Sequence, residues 1–423
     1  MLDLKFIRDN VEAVKANIQN RFMDADADLV VELYGKYNES LSKLEDLRAQ
    51  RNDNASKMKG KLSPEERNSL IEQGKELKSQ IAELESETTD LKSKLSSEAS
   101  KIPNMAHPDA PIGKEDKENF QIKVCGTVPT FNFKPLDHVQ LGEKLDLIEF
   151  ERATKVSGSK FYFLKNQAAI LELALTRYAI DILMKKGFKV SITPDIAKVD
   201  ILEGIGFNPR GEESNIYSIE GTDMCLVGTA EITLGGYHAK EIIDLSNGPI
   251  FMAGISHCFR REAGAAGQYS KGIYRVHQFT KIEMFVYCKP EESDSIHEQL
   301  REIEEEIFNG LEVPFRVVDT CTGDLGSPAY RKYDLEAWMP GRGENGDWGE
   351  ITSTSNCTDY QARRLGVRYK DDEGKTVICH TLNGTAIAIS RALIAIMENN
   401  QQEDGSIKIP SILVPYTGFD VIK

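Results

Sequence analysis

The sequence predicts an α+β protein: an N-terminal antiparallel two-helix coiled-coil arm, then an antiparallel β-sheet domain flanked by helices. Three observations predict it. Residues 28–101 hold no tryptophan, one proline and three glycines among many Leu, Lys, Glu and Gln, a composition that favours long helices. An apolar seam there steps by fours and threes through Leu70, Gly74, Leu77, Ile81, Leu84, Thr88, Leu91 and Leu95, the 3.5-residue repeat of a coiled coil. Beyond residue 120, consecutive strand-like runs outnumber strand–helix–strand alternations, which favours an antiparallel sheet over a doubly wound one.

The arm begins with a less regular seam, Val30, Leu33, Tyr37, Ser40, Leu44 and Leu47, that turns polar at Arg51 and Asn54. Ser63 is placed to cap a second helix, with Pro64 at its first position and Glu66 completing a capping box. One helix therefore ends near Gly60, and so short a connection makes the two antiparallel neighbours. Each runs over ~30 residues, or roughly 50 Å, too long for a globular core to cover. The plain reading of such an arm is a device for oligomerisation or tethering. Near the turn, however, Arg48, Arg51, Lys57, Lys59 and Lys61 have one acid close in sequence, Asp53. That basic tip suggests contact with phosphates, with a solvated charged face as the competing reading.

Pro103, Pro108, Pro111 and Gly113 mark a linker, dividing the chain into 1–102 and 103–423. In the second part, 250–255, 281–287 and 315–318 read as strands, and 168–186 and 293–308 as helices. Neither common glycine-rich nucleotide loop occurs, so any nucleotide must bind on the sheet. The chain is 423 residues long, 40% hydrophobic and 28% charged, which excludes a disordered or membrane-spanning protein. The start carries Asp3 and no apolar stretch, so no secretory signal is expected. Seven cysteines, an odd number without a Cys-x-x-Cys pair, argue against a disulfide framework or cysteine zinc site and for a reducing, cytoplasm-like compartment. A net charge of −15 argues against indiscriminate nucleic-acid binding while permitting a local basic face.

The richest segment for chemistry is 258–285, which reads as a strand, a small-residue loop at 263–267 and a returning strand. Arg260 and Glu262 would share one strand face, and an ordinary cross-strand ion pair is the default for such a spacing.

The string as a whole resembles motif 2 of the class II aminoacyl-tRNA synthetases, in the form found in the seryl-tRNA synthetase family. Residues 187–194, from Gly187 to Pro194, are similar to motif 1, a helix and strand at a dimer interface. Gly228, Thr229, Ala230 and Glu231 resemble the family's serine pocket, and 350–364 a seryl-type signature. Residues 382–399, including Asn383, Gly384, Thr385 and Arg391, resemble motif 3, and the helical arm matches the same family.

The resemblance implies a class II catalytic domain that activates L-serine with ATP and Mg²⁺ and transfers it to the terminal adenosine of tRNA(Ser), as a cytoplasmic homodimer. It leaves open whether tRNA(Sec) is charged too. By resemblance Arg260 contacts the α-phosphate, and Arg391, at the end of the motif 3 helix, holds the γ-phosphate. These two are the catalytic candidates. Both suit the task because a guanidinium fork can hold two oxygens at once. Glu350 and Ser353 offer hard oxygen ligands for Mg²⁺. Phe279 would stack on adenine, with Arg261, Glu262, Val276, His277, Gln278, Ile351 and Thr352 completing the ATP site. Thr229, Ala230, Glu231, Glu283 and Thr385 would select serine, whose hydroxyl the family assigns to Glu283 with Thr385. A pocket that hydrogen-bonds a hydroxyl rejects analogues lacking it by roughly 10⁴–10⁵. Thr385, Ser390 and Lys271 stand where serine, glycine and arginine are common, each keeping plausible chemistry. Two other readings remain: a paralogue loading a small amino acid onto a carrier protein, or a non-catalytic scaffold.

Overall fold

The computed structural model describes residues 1–207, 215–262 and 271–423, which form two compact units, Met1–Met105 and Ala106–Lys423. In the first unit, α1 (Leu4–Asp9) and α2 (Val11–Asn20) precede α3 (Ala27–Lys57) and α4 (Pro64–Lys101). The turn between the long helices follows local chemistry. Ser63 accepts from the Glu66 amide at 3.2 Å, the Glu66 carboxylate accepts from the Ser63 amide at 2.8 Å, and Pro64 opens α4. Val30, Leu33 and Leu44 of α3 and Ile81 and Leu95 of α4 are buried in the seam, where Ser40 and Thr88 form a polar rung at 2.7 Å. Towards the tip Leu70, Gly74 and Leu77 are only half-buried.

The second unit is built on an eight-stranded sheet. Its strands are β1 (Phe120–Cys125), β2 (Lys189–Ile192), β3 (Ile250–Phe259), β4 (Gln278–Cys288), β5 (Phe315–Asp319), β6 (Arg331–Met339), β7 (Asp347–Asn356) and β8 (His380–Ala388). Across the sheet the order is β1-β5-β6-β7-β8-β4-β3-β2. All neighbours are antiparallel except β2 and β3, so the expected antiparallel sheet carries one parallel edge pair. Its helices include α5 (His138–Lys144), α6 (Asn166–Lys185), α7 (Ala230–Gly236), α8 (Ser293–Gly310) and α9 (Ile389–Asn399).

Strand periodicity decides which side of the sheet does what. In β4 the side chains of Ile282, Met284, Val286 and Cys288 enter the main core with Leu171 and Leu175 of α6, Ile303 and Phe308 of α8, and Leu393 of α9. The alternate residues face the other way. Phe285 and Tyr287 are covered there by Ala230 and Leu234 of α7, leaving Lys281 and Glu283, on the same face, to line a polar pocket. Gly254, paired with Glu283, lets α7 close on the sheet: a Cβ there would lie 2.9 Å from that of Ala230.

Candidate active site

The serine-pocket candidates converge around two carboxylates. Thr229 caps α7, accepting from the Glu231 amide, and its hydroxyl donates to Glu283 Oε2 at 3.2 Å. Thr385, opposite Glu283 on β8, reaches the same oxygen at 3.4 Å. Ala230 is wholly buried as the first residue of α7. Glu231 accepts from the side-chain amides of Gln361 and Asn383 at 2.7 and 3.0 Å. Burial first, and the Glu283 charge second, push its carboxyl up to about 7.

Three residues of this pocket escape a reading of the chain. Lys281 forms an ion pair with Glu283, and Gln361 and Asn383 hold Glu231. Lys281 carries a usable signal, since a strand places residues two apart on one face. Gln361 and Asn383 lie within the seryl-type signature and motif 3, but nothing along the chain directs either of them to Glu231.

The phosphate candidates follow the ends of β3 and β8, the two strands that flank β4. Arg260 follows the end of β3; its Nε donates to the Gly228 carbonyl at 3.3 Å, and its guanidinium lies 5.3 Å from the centre of the Phe279 ring. Arg260 and Glu262 do not share a strand face, as the sequence suggested. β3 stops at Phe259, and Glu262 has a left-handed backbone with φ of 47°. Beyond the ladder the period of two no longer applies. Glu262 instead pairs with Arg275, outside the ladder, at 3.4 Å. Residues 263–267 of the expected loop lie outside the described residues.

Arg391 stands in the first turn of α9, rather than at the helix's far end, because the first half of motif 3 is strand. It holds Glu350 through the side chain at 2.9 Å and the carbonyl at 3.0 Å, and lies 4.7 Å from the Tyr274 ring. Burial opposes charge on Glu350, yet Arg391, with Lys332 and Arg260 behind it, lowers that carboxyl to about 2. The same pairing raises Arg391 further above its ordinary value despite burial.

A bulge in the β6–β7 pairing puts Glu350 opposite Glu336 and Ser353 opposite Asp334. Residues three apart on β7 therefore share a face, which a regular strand forbids. The side chains of Val276 and Ile351 enter the main core, and the Thr352 hydroxyl donates to buried Glu304 at 2.9 Å. These three can offer a ligand only backbone groups. Arg261 and Gln278 are exposed, and His277 Nδ1 meets the Arg260 carbonyl at 2.9 Å.

On α3 the tip is less uniformly basic than the linear count implied. Arg48 pairs with Glu85 across the hairpin at 2.7 Å, and Lys57 with Asp53 at 2.7 Å. A helix hairpin brings together residues that the chain separates by tens of positions. Among the described residues, Arg51, Lys59 and Lys61 are exposed and have no ion-pair partner.

Comparison with known proteins gives this arrangement its class. Residues 216–400 match the model of the class II tRNA synthetase core domain (G, H, P, S and T). Residues 1–106 match the seryl-tRNA synthetase N-terminal domain. The chain is 68% identical over 422 residues to the serine–tRNA ligase of Treponema denticola, covering all of both chains, and 57% identical to that of Borrelia recurrentis, covering 99% of the relative. Its fold superposes with a TM-score of 0.91 on the seryl-tRNA synthetase of Pyrococcus horikoshii, a structure with ATP bound, at 42% identity over 100% of this chain and 99% of that one. The chain belongs to the seryl-tRNA synthetase family, ATP-dependent ligases.

Proposed function

We infer that this chain activates L-serine as seryl-adenylate and transfers the seryl group to the 3′-terminal adenosine of tRNA(Ser). The observation that carries the reading is a carboxylate–threonine cluster at Glu283, Thr229 and Thr385, with Arg260 held against the Gly228 carbonyl, one residue before Thr229. A serine carboxylate oxygen attacks the α-phosphorus as the bond to the β-phosphate oxygen breaks and pyrophosphate leaves. The ribose hydroxyl then attacks the seryl carbonyl and AMP leaves. Little proton transfer is needed in the first step, so its rate comes from positioning and charge. Arg260 is assigned to the α-phosphate and Arg391 to the far phosphate. Glu231 takes the ammonium, and Glu283 with Thr385 the hydroxyl. Phe279 offers its ring face to adenine, with the remaining ATP-site residues around it.

The residues also fit Mg²⁺. Glu350, Ser353 and Asp334 present hard oxygens on one face, and Asp334 Oδ1 is buried without a hydrogen bond. Among the described residues no group of three or more His, Cys, Asp or Glu is disposed to hold a metal, so phosphate oxygens would supply the other ligands. Bound there, Mg²⁺ would neutralise phosphate charge.

The test is serine-dependent ATP–pyrophosphate exchange, followed by charging of tRNA(Ser) and tRNA(Sec) with labelled serine. Exchange without charging of either tRNA would point to a carrier-protein substrate. No exchange would point to the scaffold.

Two expected results follow from the site and the edge strand. Because Glu231 titrates near 7 and an ammonium requires its carboxylate form, serine binding should release a proton. Affinity should fall about tenfold per unit of pH below about 7 and level off above it. Calorimetry in two buffers of different ionisation enthalpy reads this directly; zero proton release at neutral pH would remove Glu231 from the ammonium. The chain should also form a homodimer. Ile192, at the sheet edge, is 86% exposed, and Leu173 and Met184 of α6 are exposed too, apolar side chains that a second copy would cover. Light scattering that found only a 47 kDa species at micromolar concentration would contradict this. Among the described residues no helix is long and apolar enough to cross a membrane. From its membership of the seryl-tRNA synthetase family we assign the protein to the cytoplasm.

A further inference from the structure

Glu398, near the end of α9, and His138, which opens α5, are both buried and lie outside every motif residue assigned a role above. Glu398 Oε1 accepts from the His138 amide at 2.9 Å and meets His138 Nδ1 at 2.7 Å, while Oε2 accepts from the Gly341 amide at 2.8 Å. On its other edge, His138 Nε2 faces the Ile273 amide at 3.3 Å. A backbone N–H can only donate, so Nε2 must accept and the ring proton must sit on Nδ1, directed at the carboxylate. The close approach is built in: a Cβ on Gly272, whose φ is +63°, would lie 2.1 Å from Nε2. Lys271, one residue earlier, pairs with Asp137. The residue after Ile273 is Tyr274, which lies under the Arg391 and Arg342 guanidinium groups at 4.7 and 4.8 Å and donates to the Glu350 carbonyl at 3.2 Å.

We propose that His138, held as its neutral Nδ1–H tautomer by Glu398, is a positioning residue for ATP: it fixes the chain at Ile273, and through Tyr274 the arginine that faces the phosphates. The inference rests on the assignment of Arg391 to ATP. Removing the Nε2 acceptor leaves a buried amide unpaired and frees Tyr274 to shift, which loosens Arg391 without touching the serine pocket.

The test pairs two substitutions. His138→Asn keeps a donor towards Glu398 and loses the acceptor for Ile273; His138→Gln carries an oxygen out to the Nε2 position. In exchange assays, His138→Asn should raise KM for ATP about tenfold, the scale of one buried hydrogen bond left unmade. KM for serine should change less than about twofold, and His138→Gln should recover most of the loss. Hydrogen exchange followed by mass spectrometry should show faster exchange at 273–275 in the Asn variant, with other segments unchanged and protection regained in the Gln variant. Unchanged KM for ATP and unchanged protection would overturn the proposal. So would protection lost across the whole unit and not regained with Gln, which marks a merely structural role. An inactive wild-type chain would instead count against the activation chemistry, which the amide readout does not use.

Discussion

Arg260→Ala and Arg391→Ala should each lower serine-dependent pyrophosphate exchange by on the order of 10²–10³, the usual cost of removing one preorganised charge from a transition state. The structure holds each guanidinium in place. Arg260 is directed by the Gly228 carbonyl and the Phe279 ring, and Arg391 by Glu350 and Tyr274, so each guanidinium has one place to stand. Arg391→Ala also removes the cation that holds Glu350 charged, so thermal unfolding should accompany the rate measurement to separate chemistry from folding. Near-wild-type exchange at ordinary ATP in a folded variant would end the assignment of that arginine.

Excising the distal hairpin, residues 41–87, and closing it with a short turn should leave exchange intact and make tRNA charging collapse. The cut keeps the Ser40–Thr88 rung and the buried base of the hairpin, and no residue assigned to activation lies in the excised part. Reversing Arg51, Lys59 and Lys61 should give a milder defect than excision. For every phosphate that the reversed residues no longer neutralise, the salt dependence of tRNA binding should become shallower by about one unit of slope. Arg48 should matter less, since Glu85 already holds it. Filter binding to tRNA(Ser) at two salt concentrations decides the matter. Full affinity without the hairpin would leave the arm as a structural device and nothing more.

Local chemistry makes much of this protein legible from its chain. The α3–α4 turn is readable because Ser63, Pro64 and Glu66 satisfy one another's backbone within four residues. The seam is readable because a 3.5-residue repeat belongs to each helix separately, whichever helix it meets. Strands in the second unit extend a few residues beyond their apolar runs, as in β3, where pairing with β4 carries the ladder on to Phe259. The residues assigned to serine and ATP are found through the ordered motifs that carry them.

What the chain could not show is which distant groups close around those residues. Lys281 and Glu283 share a strand face, but their burial depends on α7 being able to approach through Gly254. Gln361 and Asn383 reach Glu231 across 130 and 152 positions, and only packing brings such groups within 3 Å. The bulge opposite Leu335 and Glu336 turns Glu350 and Ser353 to one face, and a bulge is a property of two paired strands. Sequence alone determined the elements and the chemical groups, because each follows from neighbours along the chain. Tertiary structure decided the charge states and the aim of those groups, because desolvation and opposing charges act through space.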